Sequence, residues 1–233
     1  MNTSGNSASK VVSEGRLILA IDTCGPSGSV ALGRLVADGS AEVLGQIELE
    51  GRSYSSTLVA AVGELLAQNG VALRDVGAIV AVNGPGSFTG VRVGLAETAR
   101  IPVAAVSRLE VLAAKTGVES AALDAHRHEV FLRLCEDGQA RELLAGADEF
   151  AAIAPPPRIA LCDDAAAQLV SSVWPAAELV RSEAPTAADA LRLCAPRAAA
   201  GDFVDLALLD GHYLRRSDAE IFGESAVAAL ERP

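Results

Sequence analysis

Two short apolar runs constrain this chain more than any other feature. Leu17-Ile18-Leu19-Ala20-Ile21 holds no polar residue over the length of a strand, and Val76–Val82 is apolar throughout and rich in β-branched residues. A strand with one wet face alternates; an unbroken run is covered on both faces. Around these runs strands and helices alternate, which predicts an α/β chain with covered sheets.

The opening is a meander. A turn at Asp22–Gly28 separates the first run from a strand over Ser29–Gly33, and Val43–Leu49 forms a third. Ser53 then caps a helix that stops at Asn69-Gly70. Tyr54, Leu58, Val62 and Leu65 form its apolar stripe, widened by Val59 and Leu66. After Val76–Val82 comes the loop Gly84-Pro85-Gly86-Ser87-Phe88-Thr89-Gly90, a helix over Phe88–Arg100 and a strand over Ile101–Val106. A looser version of the same order follows. A helix spans Ser107–Ala114, strands span Ser120–Leu123, Glu129–Leu134 and Ala140–Leu144, and Pro155-Pro156-Pro157 marks a loop before a strand at Arg158–Cys162. Ala-rich helices cover Asp163–Val173 and Ala187–Ala200, and Trp174-Pro175 reads as a packed loop. The order predicts two related lobes. The first is 16–106, joined by 213–233, and the second is 107–212, behind a disordered tail at 1–15 that lacks the apolar run of a signal peptide. A single doubly wound sheet conflicts with the opening meander.

Composition narrows the function. Of 233 residues 50% are hydrophobic but only 3% aromatic, so the core is Ala, Val, Leu and Ile, and a broad aromatic stacking platform for single-stranded nucleic acid is not expected. A net charge of −11 repels phosphates and anionic membranes, so any RNA role draws its positive charge from another chain. Cys24, Cys135, Cys162 and Cys194 form no Cys-x-x-Cys pair, as expected of free thiols in a reducing compartment. No apolar stretch approaches the roughly 20 residues of a membrane span, so a cytoplasmic protein without a membrane partner is expected.

The glycine loop joins a strand to a helix N-terminus, where unpaired N–H groups can hold an anion. It is not a P-loop, because Val91-Arg92 follows Gly90. Nor is it a dinucleotide fingerprint, because the spacing is Gly84-x-Gly86-x-x-x-Gly90. A tight turn needing positive φ accounts for the same glycines. Asp22 and Asp124 end strands where two-lobed nucleotide-binding folds place carboxylates for a metal and its water, though either can equally form a turn. His126 and His128, two apart, share a face if they lie on a strand. They make two zinc ligands without a third, or ordinary surface histidines. Ser27, Ser29 and Ser87 lie near glycines, but none sits in Gly-x-Ser-x-Gly.

Several segments together carry a resemblance. Leu19–Thr23 with Ser29–Leu32, Asn83–Ala96, Ile101–Val103, Val106–Ala113, Leu123–Ala125 with Glu129–Phe131, and Tyr213–Ser217 resemble, in order, segments of the TsaB family. The resemblance implies a two-lobed actin-like α/β fold of the Hsp70/sugar-kinase superfamily, with ribonuclease-H-like lobes. It also implies a non-catalytic partner of TsaD, which transfers threonylcarbamoyl to the adenosine beside the anticodon of tRNA. The chain lacks the His-x-x-x-His pair that holds the TsaD metal, so no catalytic residue and no metal are expected. A TsaE-like ATPase joins the complex, tRNA is met through it, and the chain pairs with itself when alone.

By the same resemblance the partner surface is the first two helices, with Tyr54, Leu58, Val62 and Leu65 on one and Phe88, Val91 and Leu95 on the other. The glycine loop, through Gly84, Pro85, Gly86, Ser87, Thr89, Gly90 and Arg92, starts and orients the second helix. Asp22, Thr23 and Asp124 mark a vestigial nucleotide site, with ATP bound weakly and no cofactor held tightly. Two departures stand out. Arg52 replaces a His common in the family, and the helix Phe88–Arg100 is about seven residues short, close to two turns. The competing classes are an ATP-binding enzyme of the actin-like superfamily and a metallopeptidase.

Overall fold

The computed structural model describes residues 15–49, 54–86 and 100–205. The expected helix over Phe88–Arg100 up to residue 99, with Phe88, Val91 and Leu95, lies outside them. So do Ser87, Thr89, Gly90 and Arg92 of the loop, the cap Ser53, the tail to residue 14 and the C-terminal segment.

The described chain forms two five-stranded sheets. The first holds β1 (Leu17–Asp22), β2 (Gly28–Leu35), β3 (Ala41–Leu49), β4 (Val76–Val82) and β5 (Val103–Val106), in the order β3-β2-β1-β4-β5. β1 pairs antiparallel with β2 and parallel with β4, and β4 runs parallel to β5. All six residues of β1 and all seven of β4 are buried. Period two explains why both runs are unbroken. Ile18, Ala20, Ala78 and Val80 face one core, while Leu19, Ile21, Ile79 and Ala81 face another.

The second core is closed by α1 (Tyr54–Gln68) through Leu58, Val62 and Leu65. The first is closed by a helix from far along the chain, Ala187–Ala200, through Ala190, Leu191, Cys194 and Ala195. Its small side chains let it lie close to the sheet. A Cβ on Gly33 would stand 2.8 Å from the Leu191 side chain. The sequence reading groups Ala187–Ala200 with the second lobe; the helix instead covers the first sheet.

The second sheet repeats the first. β6 (Ala121–Asp124), β7 (Val130–Glu136), β8 (Gln139–Ala145), β9 (Arg158–Leu161) and β10 (Glu178–Arg181) lie in the order β10-β9-β6-β7-β8. β6 is central, antiparallel to β7 and parallel to β9, as β1 is to β2 and β4. Its helices are α2 (Arg108–Thr116), α3 (Ala147–Ala152) and α4 (Asp164–Val173), and Ala187–Ala200 is α5. Phe150 and Trp174 meet edge to face in its core with ring centroids 4.3 Å apart. Trp174 is packed, as expected, and its indole N–H donates to the Ile153 carbonyl at 3.2 Å. The expected order lacks α3 and β10. Each is short, and Glu178–Arg181 offers only two consecutive apolar residues.

α2 and α5 join the halves. α2 sends Leu109, Leu112 and Ala113 onto the second sheet, whereas α5 lies on the first. Lys115 pairs with Asp189 at 3.0 Å, and Glu110 pairs with Arg197, so the two helices run antiparallel. Burial pushes the Asp189 carboxyl up, but hydrogen bonds from Lys115 and Thr186 outweigh it and hold the group below its ordinary value. Strand side chains satisfy the start of α5: Ser29 Oγ accepts from Ala187 N at 2.8 Å and Gln46 Oε1 from Ala188 N at 3.1 Å. At the start of α2, Ser107 Oγ accepts from Leu109 N and donates to Glu142 at 2.6 Å. No helix among the described residues is long and apolar enough to cross a membrane.

Candidate functional site

The ends of β1 and β4 carry two loops that touch. After Val82 the chain continues through Asn83 and Gly84 to Pro85 and Gly86, with φ of 127° at Gly84 and 134° at Gly86. Those values suit glycine alone. Space makes the same demand. A Cβ on Gly86 would overlap the carbonyl of Cys24 in the turn after β1. The Cys24 thiol in turn donates to the Val82 carbonyl at 3.2 Å. The described part of the glycine loop is therefore a backbone-to-backbone junction. Gly86→Ala should cost about 1–3 kcal/mol from its conformation alone, read as a lower urea midpoint at unchanged slope. An unchanged midpoint would show that the loop moves freely off the Cys24 turn.

Asp22 closes the junction. Its Oδ1 accepts from Cys24 N at 2.9 Å, and its Oδ2 accepts from Arg108 Nη1 at 2.7 Å. The Asp22 side chain is 1% exposed and that of Arg108 4%. The guanidinium lies against Gly25, and the Arg108 N–H donates to the Gly84 carbonyl. Tyr54 donates its hydroxyl to the Gly25 carbonyl at 2.8 Å. Burial, and then the Asp22 charge, push the Tyr54 phenol above its ordinary range. Thr23 is fully buried beside them.

Sequence reasoning gave Arg108 no role. One signal was available. Arg108 is the first helical residue after the cap Ser107, where a positive charge opposes the helix dipole. A cation in that place calls for a partner elsewhere.

Asp124 ends β6 as Asp22 ends β1. It accepts from His126 N at 2.9 Å, sits 2.8 Å from His126 Nδ1, and donates its own N–H to Asp163. His126 and His128 do not lie on a strand, contrary to the geometry under which they would share a face. They flank Arg127 in the turn between β6 and β7, and all three have left-handed φ of 60°, 54° and 62°. That conformation costs an L-residue about 1–2 kcal/mol. Among the described residues, no three His, Cys, Asp or Glu side chains are grouped to hold a metal. The Cys162 thiol, pushed up by burial and then by Asp163, also feels Arg108 and Asp22.

The expected partner residues on α1 prove to be core. Tyr54, Leu58, Val62 and Leu65 are 5%, 1%, 4% and 0% exposed and pack under the first sheet. The outward face holds Thr57, Val59, Ala60, Gly63, Glu64 and Ala67. Val59, which the sequence reading joins to the buried stripe, is 60% exposed.

Comparison with known proteins adds the family. A family model described as TsaD, tRNA N6-adenosine threonylcarbamoyltransferase, matches residues 43–169, more than half of the chain. The tRNA threonylcarbamoyladenosine biosynthesis protein TsaB of Escherichia coli K12 is 38% identical over 126 residues, 49% of this chain and 52% of that protein. The chain belongs to the TsaB/YeaZ family. The TsaB protein of Bacillus subtilis 168 is 37% identical over 130 residues, 50% of this chain and 54% of its own length. The match thus spans about half the length of these curated relatives.

Solved YeaZ structures extend the likeness. YeaZ from Pseudomonas aeruginosa superposes with a TM-score of 0.63 at 30% identity, covering 85% of this chain and all of that one. A Pseudomonas aeruginosa protein with similarity to peptidase YeaZ gives 0.64 at 29%, covering 86% and 100%. With two sheets of one strand order, a TsaB/YeaZ chain of this kind has the two-lobed actin-like α/β fold. The family match includes Gly84, Gly86, Arg108 and Asp124.

Proposed function

We propose that this chain is a non-catalytic scaffold subunit of the assembly that transfers threonylcarbamoyl to the adenosine beside the anticodon of tRNA. Its partner is a TsaD-like catalytic subunit, and a TsaE-like ATPase joins them. The reading is carried by the identity with TsaB proteins from two bacteria over half the chain. Charge supports the division of labour. At −11 this subunit repels tRNA phosphates, so the basic surface belongs to its partners. The outward face of α1 is the partner surface in this proposal. Ala60, Gly63 and Ala67 permit close approach of a second helix, and Val59 supplies the exposed apolar contact. When the partner is absent, a second copy covers the same face.

Size-exclusion chromatography with the TsaD-like protein of the same organism tests this at micromolar concentration. The wild type should co-elute. Val59→Asp should weaken the complex by about tenfold or more while its own unfolding midpoint stays put. Failure of the wild type to form a complex would remove the scaffold reading. Wild-type binding by Val59→Asp would move the surface off α1.

A further inference from the structure

The central strand of each sheet ends in a carboxylate, and each carboxylate has a partner within the chain. The partners differ in kind. Asp124 meets His126, whose side chain is 85% exposed. Asp22 meets Arg108, whose guanidinium is buried with it.

The fold family implies a metal-bound nucleotide between the lobes, with strand-end carboxylates turned toward its cation. The residues around Asp22 do not fit that group. Both Asp22 oxygens are engaged, one by Cys24 N and one by Arg108. A metal brought to Asp22 meets a permanent positive charge already in place. Driving the guanidinium out leaves that charge buried without its partner, which is strongly unfavourable. Space is closed as well. The guanidinium fills the room over Gly25 so tightly that even a Cβ there would overlap it, leaving none for a phosphate. A neighbouring cavity, bounded by Ser27, Ser29 and Thr186, has about 170 Å³ and is lined by Glu48 and Glu183. Small-ligand sites start at about 300 Å³, and two carboxylates repel phosphate.

We propose that Arg108 is a built-in counter-ion that takes the cation's seat at Asp22, closes the cleft to metal nucleotides and ties the two lobes together there. Arg108 leads α2, whose Leu109, Leu112 and Ala113 pack on the second sheet, while Asp22 ends β1 of the first. The ion pair and the bond from Arg108 N to the Gly84 carbonyl cross between the halves. The pairs Lys115–Asp189 and Glu110–Arg197 cross separately along α2 and α5. Loss of the guanidinium therefore frees the loops at the ends of β1 and β4 while the helix pair stays closed.

The test uses the full chain, calorimetry with Mg-ATP and hydrogen exchange. The wild type should give no saturable heat. In Arg108→Ser the amides of Cys24, Gly25 and Leu109 should exchange about tenfold faster or more, with Leu191–Ala195 of α5 unchanged. Where Arg108→Ser does not fold, Asp22→Asn combined with Arg108→Gln leaves no buried charge and carries the same exchange readout. Saturable Mg-ATP binding by the wild type overturns the proposal. So does wild-type exchange at Cys24, Gly25 and Leu109 in the variant that folds.

Discussion

Arg108→Met is expected to lower the unfolding free energy by about 3–5 kcal/mol. The reason is asymmetry. The wild-type pair joins Arg108 Nη1 to Asp22 Oδ2 at 2.7 Å with both side chains almost wholly out of water. Methionine keeps much of the arginine stem, so packing changes little. The Asp22 carboxylate, however, keeps the bond from the Cys24 amide but loses its counter-ion in a low-dielectric place. Adding Asp22→Asn removes that charge, and the double variant should recover part of the loss, with a coupling of about 1–3 kcal/mol in the double-mutant cycle. Urea unfolding of the four proteins measures it. A loss under about 1 kcal/mol for Arg108→Met, the range of solvated pairs, would mean that the pair is wet and that the lobes are not tied there.

Leu58→Ala should destabilise the isolated chain by about 2–5 kcal/mol, whereas Val59→Ala should stay within about 0.5 kcal/mol. These neighbours on α1 have opposite surroundings. Leu58 is 1% exposed in a core shared with Leu19, Ile21, Val30 and Ile79; Val59 is 60% exposed. Truncating Leu58 removes dispersion contacts and leaves a cavity that a two-sided sheet cannot collapse around. A residue reserved for a partner behaves the other way, sparing the free chain and weakening the complex. Thermal or urea unfolding of the two variants without partner decides between them. A larger loss for Val59→Ala than for Leu58→Ala would reverse the assignment of the faces.

Much of the frame was legible because its signals are local. β4 falls on Val76–Val82, as its apolar run predicts. Ser107 caps α2 and Asp163 caps α4 with their own side chains, and such caps are written in one or two residues. The shared strand order of the halves was visible as a repeated sequence of elements, though β10 was too short and too polar to see. The candidate site was only half legible. Asp22 stood out by ending a strand, but its partner lies 86 residues away, and the one mark it leaves, a cation at the start of α2, does not say which carboxylate it meets.

Sequence alone determined which segments become covered strands, where most of the helices lie, and that the loop after Val82 is a tight turn that calls for glycine. These follow from backbone geometry and from a periodicity that reads within a few residues. Tertiary structure decided what covers each face. A stripe such as Tyr54, Leu58, Val62 and Leu65 states that something apolar lies against it, but not whether that is the chain's own sheet or a partner. Here it is the sheet. The same holds for α5, which crosses to the first sheet because its first N–H groups meet Ser29 and Gln46 and its Leu191 packs into the room that Gly33 leaves. It holds for Arg108 above all, since an ion pair is set by distance in space, and only the folded chain brings its guanidinium to Asp22.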